Sequence, residues 1–149
     1  LGLLGCSITA IKPLPELNSL LLRSSISHRE PSLGRLWLAT LAKRKGKDRV
    51  ELINLRSRTI IPLPGLNRAD SQPISVSVSA NGDRIALIRQ RGNQTELLIY
   101  RRNLGTLQRL ELNSRGIPRK VSLDGTGKIL AVEVSRDGKW DVDLLRLSG

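Results

Sequence analysis

The chain has 149 residues, a length that suits one domain, and its 25 Lys and Arg stand against 13 Asp and Glu, for a net charge of +12. That charge attracts anionic partners, whether nucleic acid, acidic lipid, acidic polysaccharide or acidic protein, and says nothing about fold. One cysteine excludes an internal disulfide, one histidine beside it falls short of a zinc ligand set, and no run reaches the roughly 18 apolar residues of a membrane-crossing helix.

In chain order, residues 1–7 come first. Leu3-Leu4-Gly5-Cys6 resembles the lipobox of bacterial lipoproteins, whose cysteine is cleaved on its amino side and acylated. The resemblance implies lipidation at Cys6 and a periplasmic or membrane-anchored protein in a bacterium; the plainer alternative is an apolar terminus with an unused thiol, and a cytoplasmic location stays open. Residues 11–18 (IKPLPELN) then repeat residues 60–67 (IIPLPGLN), so 8–18 is expected to be a lone outer-edge strand, where Pro is tolerated.

Blade one spans 19–66, with strands at 19–26, 36–42, 49–55 and 59–63 and a basic tip, KRKGKD, between the second and third. His28 falls in a loop. Blade two spans 73–113, with strands at 74–78, 84–90, 95–101 and 106–112. Blade three spans 117–149, with strands at 117–122, 128–134 and 140–147, and lacks a fourth. Asn81-Gly82, Gly92-Asn93 and Asp137-Gly138 supply residues that accept positive φ in tight hairpins. No helix-length segment with a 3.6 period emerges.

The repeat behind these strands is explicit. VSVSANGDRIAL, beginning at Val76, lies over VSLDGTGKILAV, beginning at Val121, without a gap, and the same offset of 45 lays TELLIYR (from Thr95) over WDVDLLR (from Trp140). A period near 45 falls in the range of propeller blades. SANGDRIAL, residues 79–87, resembles the S-x-D-G-x-x-I-A-F signature of TolB-type β-propellers, with the third repeat departing to LDGTGKILA. The resemblance covers about residues 8–149 and implies an all-β chain of three four-stranded antiparallel blades, a partial propeller out of a six-bladed ring. Three blades cannot surround a channel. Strand complementation, in which the lone N-terminal strand of one chain fills the gap in blade three of a second, predicts a homodimer; the rival is a chain that borrows blades from another protein.

Strand direction alternates, so the second-to-third and fourth-to-first loops share one rim. That rim gathers Lys43, Arg44, Lys45, Lys47 and Arg49 in blade one, Arg89 and Arg91 in blade two, Arg136 and Lys139 in blade three, and Arg68, Arg115, Arg119 and Lys120 in the connecting loops, against Asp48, Asp70 and Asp137. Two readings of the rim stand side by side: an anion-binding face, or a solvated surface that keeps strand edges apart. Nucleic acid is a weaker partner for it, because only Trp37, Tyr100 and Trp140 could stack on bases.

No G-x-S-x-G elbow, Gly-rich phosphate loop, metal set or cofactor motif is present. The expectation is therefore a chain that is not an enzyme, without cofactor or metal, a scaffold that binds an acidic protein or an anionic envelope component through its basic rim. Charge-driven binding of nucleic acid, or a place as a subunit of an enzyme complex, are the alternatives.

Overall fold

The computed structural model describes residues 10–23 and 26–148; Cys6 and the lipobox-like segment lie outside the described residues. One helix, α1 (Pro15–Arg23), precedes eleven strands: β1 (His28–Gly34), β2 (Trp37–Arg44), β3 (Lys47–Asn54), β4 (Thr59–Ile61), β5 (Gln72–Val78), β6 (Arg84–Arg91), β7 (Gln94–Arg101), β8 (Thr106–Leu110), β9 (Ile117–Leu123), β10 (Ile129–Arg136) and β11 (Lys139–Arg146). They form three antiparallel meanders, β1-β2-β3-β4, β5-β6-β7-β8 and β9-β10-β11, so two blades are four-stranded and the third has three described strands.

Blades two and three fall where the 45-residue period places them. The N-terminal part differs. Residues 11–18 are not a strand: 10–14 is irregular and α1 begins at Pro15. The two copies of the motif differ at two positions, Lys12 against Ile61 and Glu16 against Gly65, and the second carries the reason. Gly65 sits at φ 78° and turns the chain after β4, whereas its counterpart Glu16 follows Pro15 at the start of a helix, a position that suits both an acid and a proline. Leu17, Leu20 and Leu21 then follow at helical spacing. The strand expected at 19–26 accordingly gives way to β1, and His28, expected in a loop, opens that strand with its Nδ1 3.4 Å from Thr40 Oγ1.

The basic tip is also tighter than a six-residue loop. Arg44 pairs with Lys47 across a two-residue turn, Lys45-Gly46, with φ of 50° and 77°. Both central residues take positive φ, the geometry that suits the twist of paired strands.

Two cores hold the blades together. Ala39, Leu41, Val50 and Leu52 of blade one pack on Val76, Ile85, Leu87 and Tyr100 of blade two. Ala86, Ile88, Leu97 and Ile99, on the other face of blade two, pack on Val121, Leu130, Val132 and Val134 of blade three. The first strands stand side by side, β1 against β5 and β5 against β9. Their open edges would leave backbone N–H groups unpaired, and serines of the preceding blade supply acceptors: Val78 N donates to Ser32 Oγ at 2.9 Å, Val121 N to Ser75 Oγ at 3.1 Å and Leu123 N to Ser77 Oγ at 2.8 Å. Each first strand also carries a bulge at a proline, Pro31, Pro73 or Pro118, where no N–H is left to pair.

Candidate functional site

The β4–β5 loop and the β2–β3 hairpin enclose a cleft of 860 Å³ between blades one and two. Its loop wall is pinned from three directions. Asn67 clamps β3 through its side-chain amide, accepting from Val50 N at 2.8 Å and donating to Val50 O at 3.0 Å. Leu66 is fully buried, and the Tyr100 hydroxyl donates to Pro64 O at 2.7 Å. Burial pushes the Tyr100 phenol above its usual pKa, offset in part by Arg102, which keeps it a donor. Asn67 belongs to the repeated PLPxLN motif, so its presence was visible in the sequence, but its clamping role was not.

Across the cleft, the hairpin presents Lys43, Lys45, Lys47 and Arg49, all exposed. Among the described residues, none of the four has a carboxylate within ion-pair distance; Lys47 Nζ instead donates to Ala69 O at 3.2 Å, reaching from hairpin to loop. Val50, Leu66 and Leu87 give the cleft apolar lining. Asp48, also at the tip, is taken up by Arg29 at 2.9 Å.

The remaining rim residues divide. Arg44 is held by Glu51 through two bonds of 2.5 and 3.0 Å, which raises its pKa further. Arg89 is buried, with Nε 3.4 Å from Glu96 and a second bond to Leu66 O, so it props the loop from beneath. Arg91 lies near Asp70 and Glu96. Arg68 grips Asp70 at 2.8 and 3.0 Å and holds its carboxyl down at about 2. Arg136 is bound to Asp143 and Asp141, the bond to Asp143 depressing that acid's pKa, and Lys139 pairs with Asp141 at 3.2 Å.

Arg115, Arg119 and Lys120 are exposed with no carboxylate among the described residues, but they sit at the β8–β9 connection and in β9, away from the cleft. The alternating acids of β11, Asp141 and Asp143, were legible in the sequence; the fact that their side chains meet Arg136 across β10 follows from strand register alone. The thirteen cations of the rim therefore divide into six paired ones and two groups without a carboxylate among the described residues, four at the β2–β3 hairpin and three around the start of β9.

Trp37 lies beneath the Arg102 guanidinium, 4.5 Å from its ring centroid, while Trp140 is exposed. No group of three or more His, Cys, Asp and Glu residues able to hold a metal ion occurs among the described residues. No helix among them is long and apolar enough to cross a membrane, which leaves strand-built spans unaddressed.

No family model matches the sequence, and no curated protein matches it. Solved structures do. A putative TolB from Agrobacterium tumefaciens superposes with a TM-score of 0.61 at 12% identity over 82% of this chain and 46% of that one. TolB from Acinetobacter baumannii gives 0.59 at 17% identity over 78% of this chain and 29% of that one. A puromycin-hydrolysing peptidase from Mycobacterium tuberculosis gives 0.58 at 15% identity, over 81% of this chain and 19% of that one. The chain thus spans less than half of each of these proteins.

The peptidase overturns the expectation that the chain is not an enzyme. That expectation leaned on the absence of sequence motifs, and the same arrangement of blades stands within a hydrolase, so the architecture supplies no ground for excluding one. What the likeness establishes is architecture: this is an all-β chain with the TolB-like β-propeller fold.

Proposed function

We propose that the chain docks an acidic protein segment in the cleft between blades one and two. The observation that carries this reading is the set of four exposed cations, Lys43, Lys45, Lys47 and Arg49, that lack carboxylate partners among the described residues and flank an apolar-lined cleft. Unpaired cations beside a concave, pinned wall cost little to rearrange on binding, and opposite charge steers the encounter. The reading keeps the bacterial envelope expected from the Leu3–Cys6 pattern as its setting.

Fluorescence anisotropy with a labelled Asp/Glu-rich peptide tests it. The peptide should bind with an affinity that falls steeply as salt rises, and K43E/K45E should weaken it about tenfold. Arg115→Glu, away from the cleft, should leave it nearly unchanged. Equal losses from all three substitutions would replace a defined cleft by general charge attraction. An oligonucleotide of matched charge that outcompetes the peptide would turn the reading to nucleic acid.

A further inference from the structure

The three first strands line a second groove, of 420 Å³, that shares no residue with the cleft between blades one and two. Its lining comes from the same positions of each blade. Glu30, Ser75 and Lys120 stand 45 residues apart, the offset of the sequence repeat, and Ser32, Ser77 and Ser122 stand two places after them. Across the groove the first of these positions runs from an acid through a hydroxyl to a base, while the other is serine throughout.

Neither charge is neutralised by its surroundings. Among the described residues, the half-buried Glu30 has no hydrogen-bond or ion-pair partner for its carboxylate, and the exposed Lys120 has no carboxylate within ion-pair distance. Glu30 is also held at φ 55°, in the left-handed region that a residue with a side chain enters only at a cost. The position of the bulge is the cause. In β5 and β9 the skipped residue is Ile74 or Arg119, so Ser75 and Lys120 pair with Ile88 and Glu133, whereas in β1 both Glu30 and Pro31 fall between the pairs Arg29–Leu41 and Ser32–Ala39. Ser75 Oγ accepts from Val121 N at 3.1 Å; Glu30, its counterpart one blade earlier, makes no such bond to β5. The serines add donors. Ser32, Ser75 and Ser77 Oγ each accept a backbone N–H of the next blade, which leaves their O–H groups without an acceptor among the described residues.

We propose that this groove binds a short zwitterionic peptide, its ammonium at Glu30, its carboxylate at Lys120 and its carbonyl oxygens on the serine hydroxyls between them. The separation of the charges sets the length. Neighbouring strands of a sheet lie about 4.8 Å apart, so β1 and β9, with β5 between them, place the two charges about 10 Å or more apart. A single amino acid is too short to meet both, while three extended residues span about 10 Å. The volume also falls in the range of small-ligand sites, about 300–1,000 Å³. Val76 and Val121, both buried, form an apolar floor between the hydroxyls that suits small side chains. An ammonium supplies the charge-assisted hydrogen bonds that the Glu30 carboxylate lacks. The ligand differs from the acidic segment proposed for the cleft, because this groove presents one charge of each sign.

Isothermal titration calorimetry of the full 149-residue chain with trialanine tests the site. Free trialanine should bind. N-acetyl-trialanine and trialanine amide, each lacking one terminal charge, should bind the parent chain about tenfold more weakly, an arm that needs no variant. Glu30→Gln and Lys120→Gln should each weaken free trialanine by the same factor, and the losses should pair: Glu30→Gln costs the acetylated peptide nothing further, and Lys120→Gln costs the amide nothing further. K43E/K45E, in the cleft, should leave the titration unchanged, which separates this site from the acidic-segment reading. Absence of binding by free trialanine, capped peptides that bind as tightly as the free one, losses that ignore which end is capped, or a loss from K43E/K45E would each overturn the proposal.

Discussion

Ser77→Ala and Ser122→Ala exchange the same side chain at the same place in successive repeats, yet the structure assigns them different consequences. Ser77 is buried, and its Oγ receives the Leu123 N–H at 2.8 Å across the boundary between blades two and three. Alanine fills nearly the same space but leaves that donor in an apolar seam with no acceptor, at a cost of about 1–3 kcal/mol. For a chain of this size each kcal/mol lowers the melting temperature by about 2–4 °C. Ser122 is exposed in the single chain, and its loss should cost less than about 0.5 kcal/mol there. Urea unfolding makes the comparison: Ser77→Ala should lower the midpoint with the slope preserved. Equal midpoints for the two variants would refute the assignment of the serines as bridges between blades.

Two further outcomes follow from the charges. Glu96→Ala leaves Arg89 buried without its carboxylate beneath the β4–β5 loop, so thermal unfolding should show a loss of about 3–5 kcal/mol, while the double change Arg89→Met, Glu96→Leu recovers most of it. Asp70 and Asp124 are both held down at about 2, Asp70 chiefly by Arg68 and Asp124 chiefly by the Thr126 hydroxyl with help from backbone N–H groups. Their folded values lie below the ordinary 3.8, so their stabilising contribution is full above that value and is lost as pH falls through about 2. Acid titration followed by dichroism should show that Asp124→Asn flattens the fall in stability across this window.

Strand identity in blades two and three was written in residue chemistry. The 45-residue period, the alternation of apolar side chains and the turn residues Asn81-Gly82 and Asp137-Gly138 all act within a few positions, so local reading suffices. The IKPLPELN copy misled for the same reason that it looked informative: six identical positions of a strand motif count for little against a Gly-to-Glu difference that removes the turn and supports a helix. The candidate site was legible only as composition. Which cations stay unpaired depends on hairpin register and side-chain direction, since Arg89 meets Glu96, Arg44 meets Glu51 and Arg136 meets Asp143, each seven residues on, only once the two strands are aligned.

By itself the sequence determined the repeat, the all-β character and the excess of positive charge, because each is a property of residue type and spacing. The tertiary structure alone decided where that charge remains available, which serine caps which N–H, and which apolar rows the blades bury against one another. Those are relations between surfaces brought together by packing, and residue order does not carry them until the blades are stacked.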